Sequence, residues 1–222
     1  MDNIKEKEEG AVSGKHIRMY DVPNVEIGKR TCYNLFKRVL DVLLTVIALV
    51  ICLLPMLAIS VAIMLDSRGG IFYKQERLGK DGKPFMLYKF RSMRPDAENA
   101  GAQWAEENDV RCTKIGAFLR KSRLDELPQF FNILKGDMSI VGPRPERPYF
   151  YGEFEKRIHG FINRTKVIPG LTGLAQVNGG YDLLPEEKIV YDMEYIEKAS
   201  LLLDIKCIIK TVAILFNHNG AR

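Results

Sequence analysis

The sequence predicts an α+β protein, mostly helical, with a membrane helix near its start. Three observations lead there. Val42–Leu65 is apolar apart from Thr45 and Ser60. Two aromatic runs of strand character flank a turn-rich segment at residues 79–84. Much of the chain beyond residue 113 shows apolar residues at helical spacing, punctuated by Gly and Pro. Three regions follow: a flexible N-terminal arm over 1–32, a membrane helix over 33–67, and a main domain over 68–222.

Residues 1–30 are polar and charged and include Gly10, Gly14, Pro23 and Gly28, which is why they read as a loose arm. They are no signal peptide, because the apolar run begins too late. That run, about 24 residues, exceeds the roughly 20 needed to cross a bilayer. Pro55 sits near its middle, where it removes a backbone donor and kinks or breaks a helix. Both flanks are basic: Lys29, Arg30, Lys37 and Arg38 before, and Arg68, Lys74, Arg77, Lys80, Lys83 and Lys89 after. Basic flanks belong on the cytoplasmic side. Two readings stay open, a kinked spanning helix and a re-entrant helix that turns at Pro55. Each re-entrant half, about 12 residues, would be roughly 18 Å long, too short for a hydrocarbon core of about 30 Å.

Ile71–Gln75 and Phe85–Phe90, joined by Gly79–Pro84, predict a β-hairpin. Residues 94–113 are polar and predict a loop with a short helix around Trp104. Helices are expected near Ile115–Arg120, Leu127–Leu134 and Tyr149–Phe161, then over 186–198 and 201–216. A Gly-rich loop covers Pro169–Gly180. The last helix places Leu202, Ile205, Ile209, Val212 and Phe216 on one face, with Lys206 and Lys210 on the other. That pattern suits an interfacial helix and equally a core helix.

A formal net charge of +5 favours anionic partners, phosphates or an acidic lipid surface, only weakly. The cations form no recognisable nucleic-acid motif, so nucleic acid is not an expected partner. Four cysteines, Cys32, Cys52, Cys112 and Cys207, lie far apart without a CxxC pair, and the three histidines are scattered. Neither a disulfide framework nor a zinc site is expected.

The chemistry concentrates in Ser122–Pro145. Asp125 and Glu126 are adjacent, between Arg120 and Arg123 on one side and Gly142-Pro143-Arg144-Pro145 on the other. Guanidinium forks suit phosphate oxygens, and a carboxylate can hold Mg²⁺ or act as a nucleophile. The plain alternative is a capping box, with Ser122 as N-cap and Asp125 at N3. Arg144 between two prolines is either held for binding or an exposed turn residue. Lys89 and Arg91 share one face of the second hairpin strand, with Phe90 on the other.

The motifs LFKRVLDVLL, Pro55 in the apolar run, FYKQERLGKDGKPFMLYKFRSM, LRKSRLDELPQFFNILKGDMSIVGPRPERP, PGLTGLAQVNG and SLLLDIKCIIKTV stand in order over about residues 35–214. On them the chain closely resembles the monotopic polyprenol-phosphate phosphoglycosyl transferases, bacterial sugar transferases that begin surface glycan and exopolysaccharide assembly. The resemblance implies transfer of a sugar phosphate from a UDP-sugar to undecaprenyl phosphate. Asp125 is the implied nucleophile, holding a covalent phosphosugar as UMP leaves, with Glu126 and Mg²⁺ in support and both acids as metal ligands. Arg120, Arg144, Lys89, Arg91, Arg147 and Asp204 are the implied substrate-binding residues. The apolar run matches the family's re-entrant helix, which puts the protein on the cytoplasmic face of the plasma membrane, in contact with lipid. A homodimer is compatible with this.

Some positions depart from the family pattern. The usual Ser-Pro break is Leu54-Pro55 here, and Ile168 and Gly180 replace arginines around the PGLTG loop. Arg147, Arg164 or Lys166 would supply the missing cation. The several-span region of larger relatives is not expected. Two rival classes are a lipid-binding adaptor, which leaves the DELPQ and GPRP strings unexplained, and a soluble nucleotide-sugar hydrolase, which needs no apolar run.

Overall fold

The computed structural model describes residues 5–12, 15–28, 30–97, 109–180 and 183–217. The expected helix around Trp104 lies outside them. The elements in order are β1 (Lys5–Val12), β2 (Lys15–Asp21), α1 (Thr31–Asp66), β3 (Phe72–Leu78), β4 (Pro84–Phe90), α2 (Lys114–Lys121), α3 (Gln129–Lys135), β5 (Ser139–Val141), α4 (Pro148–Glu155), β6 (Ile158–His159), β7 (Gly170–Thr172), α5 (Leu174–Asn178), α6 (Pro185–Lys198) and α7 (Leu201–Asn217). The chain is mostly helical with small sheets.

α1 is one helix of 36 residues, and Pro55 lies inside it rather than between two helices. At 1.5 Å per residue it is about 54 Å long. A single stripe ties it to the rest of the chain. At the start, Arg30 donates to the carbonyls of Ile196 (3.0 Å) and Glu197 (2.6 Å), which closes the end of α6. Arg38 does the same for α3, at Ile133 (2.5 Å) and Leu134 (2.8 Å). Cations suit these carbonyl-rich helix ends. Asp41 accepts from Ser139 Oγ (2.7 Å) and the Ile140 amide (3.1 Å) on β5. Further along, Leu49, Cys52, Met56, Ile59 and Ile63 pack with Phe90 and Leu119. Asp66 accepts from the Ile115 amide at the start of α2 (3.1 Å). The stripe recurs every three or four residues, the helical period. The opposite face is apolar and exposed, with Leu54 76% and Leu65 83% accessible.

The predicted hairpin forms: β3 and β4 pair antiparallel from Phe72↔Phe90 to Leu78↔Pro84. Asp81 and Gly82 take left-handed φ at its turn. The Gly-rich stretch is more ordered than a loop. β7 pairs parallel with β5, Ser139 opposite Gly170 and Val141 opposite Thr172. Backbone lies on backbone there. A Cβ on Gly170 would come within 2.1 Å of the Gly142 amide, and one on Gly173 within 2.1 Å of the Gly142 carbonyl. The expected helix over Tyr149–Phe161 stops earlier, because α4 gives way to β6 and then a 3-10 turn over Phe161–Lys166.

The arm differs from its expected looseness. β1 and β2 form an antiparallel pair, and β2 pairs parallel with β6 at Tyr20↔Ile158 and Asp21↔His159. Val22 then joins the main core with Ile158, Phe161 and Ile189. Composition weighed every arm residue equally, whereas a few pairing residues and one buried valine anchor it. α7 is amphipathic as expected, but its apolar face points outward. Leu202, Ile205, Ile209 and Val212 are exposed while Asp204 and Cys207 are buried, so the core-helix reading is set aside.

Candidate active site

The acidic pair sits on a tight turn. Ser122 ends α2, its hydroxyl donating to the Phe118 (2.8 Å) and Leu119 (3.2 Å) carbonyls. It therefore does not cap a following helix, and the capping-box alternative falls. Arg123 takes left-handed φ 58, an uncommon conformation for a residue with a side chain. It redirects the chain into a 3-10 turn over Leu124–Glu126. Asp125 and Glu126 are both buried there.

Cations from two other elements meet them. Lys89 Nζ on β4 lies 3.0 Å from Glu126 Oε1 and 3.7 Å from Asp125 Oδ2, bridging the pair. Arg144 forks onto Glu126, with Nη1 3.3 Å from Oε2 and Nη2 on Oε1. Two parallel charge-assisted bonds fix orientation as well as charge. Burial would raise the Glu126 carboxyl, but Arg144 and Lys89 override it and hold Glu126 well below the usual range. Asp125 goes the other way. Burial raises it, Lys89 opposes, and the Glu126 charge adds to the rise. The cations thus belong first to Glu126, which leaves Asp125 the less compensated carboxylate.

Behind Arg144 stands a second layer. Arg164 is fully buried, pairs with Asp192 at 2.6 Å, and donates to the Arg144 carbonyl at 2.9 Å. Its guanidinium lies 4.8 Å from the Phe161 ring centroid. The Pro143-Arg144-Pro145 turn is thus held from behind by a buried ion pair.

Among the described residues, the acids open onto a cavity of about 300 Å³ lined by eleven lysines and arginines and by three carboxylates, Asp125, Glu126 and Glu146. Such an excess of cation suits a polyanion. Burial holds Lys188, on its α6 wall, below the usual lysine range, partly offset by Glu146. Of the residues expected to bind substrate, Arg120, Arg144, Arg147, Lys89 and Arg91 all line this cavity. Arg91 is nonetheless committed elsewhere, to the Arg68 carbonyl (2.8 Å), the Ser67 carbonyl (2.7 Å) and Ser67 Oγ (2.9 Å). It closes the end of α1.

Asp204 is absent from the cavity wall. It accepts from Tyr195 OH (2.7 Å), Tyr33 OH (2.9 Å) and Lys37 Nζ (3.1 Å), tying α7 to the start of α1. Of the candidate replacement cations, Lys166 turns away to Asn24 and to the Val25 carbonyl (2.6 Å), while Arg164 and Arg147 reach the cavity. Sequence reading missed Arg77 and Glu146, an ion pair at 3.2 Å in the wall, although Tyr73, Gln75 and Arg77 alternate along β3 toward it. It also missed Asp192 and Gln176, for which no spacing rule points to the site.

Among the described residues no cluster of three or more His, Cys, Asp or Glu could hold a metal. Mg²⁺ commonly binds through one or two carboxylates plus substrate phosphates, and of this pair Asp125 is the less engaged, since Lys89 and Arg144 already hold both oxygens of Glu126.

The buried carboxylate pair and the cations around it define an anion-handling site. The match to the bacterial sugar transferase family model covers residues 32–218, and the chain belongs to that family. It is 44% identical over 193 residues to the UDP-N-acetylgalactosamine-undecaprenyl-phosphate N-acetylgalactosaminephosphotransferase of Aeromonas hydrophila, covering 86% of this chain and 46% of that protein. To a UDP-glucose:undecaprenyl-phosphate glucose-1-phosphate transferase of Xanthomonas campestris pv. campestris it is 46% identical over 191 residues, 83% of this chain and 40% of the relative. The enzyme of that name from Escherichia coli (strain K12) is 40% identical over 210 residues, 92% of this chain and 44% of the relative. The chain thus spans less than half the length of each of these three relatives.

Proposed function

We propose that this chain is a phosphoglycosyl transferase that moves a sugar 1-phosphate from a UDP-sugar to undecaprenyl phosphate through Asp125, at the start of surface glycan synthesis. The observation that carries this is the buried Asp125–Glu126 pair in a cation-rich cavity, with Glu126 gripped and Asp125 left less compensated. The relatives' names supply the substrate class and differ among themselves in the sugar.

In the first step an Asp125 carboxylate oxygen attacks the phosphorus bearing the sugar. The bond to the bridging oxygen breaks, UMP leaves, and an acyl phosphate forms. In the second, a phosphate oxygen of the polyprenol phosphate attacks the same phosphorus and frees Asp125. Splitting one hard transfer into two is the gain of covalent catalysis. Lys89, Arg120 and Arg144 supply positive charge around the transferring group. Mg²⁺, held by Asp125 and Glu126, would neutralise charge between carboxylate and diphosphate.

We infer further that both ends of α1 lie on the cytoplasmic face, with its exposed apolar face turned to the bilayer. The support is the stripe from Arg30 to Asp66, because a water-soluble domain cannot touch a spanning helix along its whole length. One helix among the described residues is long and apolar enough to cross a membrane, and the exposed apolar face of α7 would lie in the interface.

Membranes supplied with polyprenol phosphate and a panel of UDP-sugars should release UMP, stop on chelation and recover with Mg²⁺. Parallel double-reciprocal lines are expected. Intersecting lines, with no UMP before polyprenol phosphate is added, would establish direct transfer instead. For topology, engineered cysteines near residues 30 and 75 should both resist an impermeant reagent from outside. Labelling at only one of them means a true span.

A further inference from the structure

One cavity residue is not explained by phosphate chemistry. Gln176 lines the cavity from α5, and its Nε2 and Oε1 are both buried without a hydrogen-bond partner. Buried amide atoms are rarely left unpaired, and a case like this calls for an explanation. Two other carboxamides, one on α5 and one in the cavity wall, are already engaged. Asn178 is used by the Leu174 carbonyl (2.8 Å) and Lys210 (3.1 Å). Gln75 is used by Tyr73 (2.9 Å) and Arg77 (2.5 Å).

The placement of Gln176 is fixed. α5 follows directly on Gly173, which lies against the Gly142 carbonyl so closely that a Cβ would meet it at 2.1 Å. The Gly142 turn carries Arg144. The unpaired carboxamide is therefore built onto the same backbone unit as the arginine that grips Glu126. Arg144 and Gln176 line the same cavity, so one ligand can meet both.

A carboxamide is neutral, so it adds nothing to charge neutralisation in this cavity. It presents an N–H and a C=O side by side. That pair closes a two-bond ring with a partner that sets an N–H directly beside an acceptor. A pyrimidine imide has this arrangement at N3–H and its neighbouring carbonyl. The acetamido group of a sugar does not, because its N–H and C=O point in opposite directions. We propose that Gln176 is a specificity-determining residue that reads the imide edge of the donor's pyrimidine base. This rests on the nucleotide-donor reading above.

The test is equilibrium binding to the full chain in lipid nanodiscs, with UMP, N3-methyl-UMP and inorganic pyrophosphate as probes. The wild type should bind N3-methyl-UMP about tenfold more weakly than UMP, the scale of one or two lost neutral hydrogen bonds. Gln176→Met should bind the two nucleotides equally while binding pyrophosphate like the wild type, which also reports that it is folded. If it loses pyrophosphate binding, Gln176→Glu is read by the same ratio. A wild type indifferent to N3-methylation, or a variant that keeps the full discrimination, overturns the proposal. So does a variant that loses only the preference between UDP-N-acetylglucosamine and UDP-glucose, because Gln176 would then read the sugar amide. Failure of the wild type to bind UMP at all, with pyrophosphate still bound, would sink the nucleotide-donor reading and this inference together. Loss of the N3 effect alone sinks only this one.

Discussion

Two buried acidic clusters are built in opposite ways. Around Asp204, two tyrosines and one lysine satisfy both carboxylate oxygens, and none of these residues lines the cavity. Around Asp125 and Glu126, the cations outnumber the acids and face open space. The first cluster is closed off from the cavity, whereas the second opens onto it. A motif match treats Asp204 and Asp125 alike. Access and charge imbalance separate them.

The sharpest break in that contrast is Asp125→Asn. It should abolish turnover and the covalent phosphosugar detectable by intact mass, while the fold persists. An Asn variant that still forms the adduct removes Asp125 from the nucleophile role. Next in size is Arg144→Ala, which deletes the fork on Glu126. It should weaken donor handling by about 1.5–3 kcal/mol, the range of charge-assisted hydrogen bonds, read as kcat/KM. No change would return Arg144 to a turn residue.

Asp204→Asn tests the other cluster. Three donors would face a weaker acceptor, at a cost of about 1–3 kcal/mol in stability. Melting temperature should fall while kcat/KM per folded molecule holds. A raised donor KM with unchanged melting would make Asp204 a substrate contact after all.

These contrasts also show what the sequence made legible. The apolar run, the hairpin and the helix periods of α2, α3, α6 and α7 were readable because each is a local pattern. The acidic pair stood out because two carboxylates and several guanidiniums are close along the chain. What stayed hidden was non-local. The β5–β7 pairing joins segments about thirty residues apart through glycine backbones, and no periodicity records it. Arg164 stands out only as a candidate cation, and its pairing with Asp192 is invisible until the fold buries both. The basic flanks of α1 were read as topology signals, yet Arg30 and Arg38 close helix ends in the domain. Their charge therefore serves packing, and the case for both ends sharing one face now rests on contacts.

The smallest expected effect belongs to Arg91, which stands between the two clusters. It lines the cavity, yet the donor bonds described above go to Ser67 and Arg68 at the end of α1. Arg91→Lys keeps the charge but replaces a planar fork with a point donor that cannot serve both carbonyls and the Ser67 hydroxyl in one geometry. If Arg91 acts as an anchor, the loss is one or two hydrogen bonds, about 1 kcal/mol. It should appear as easier proteolysis near residues 66–70, with donor KM unchanged because the cavity keeps its cation. If Arg91 instead binds phosphate, the lysine should leave proteolysis alone and raise the donor KM. The two readouts move independently, so the one substitution decides whether Arg91 belongs with Asp204 or with Asp125.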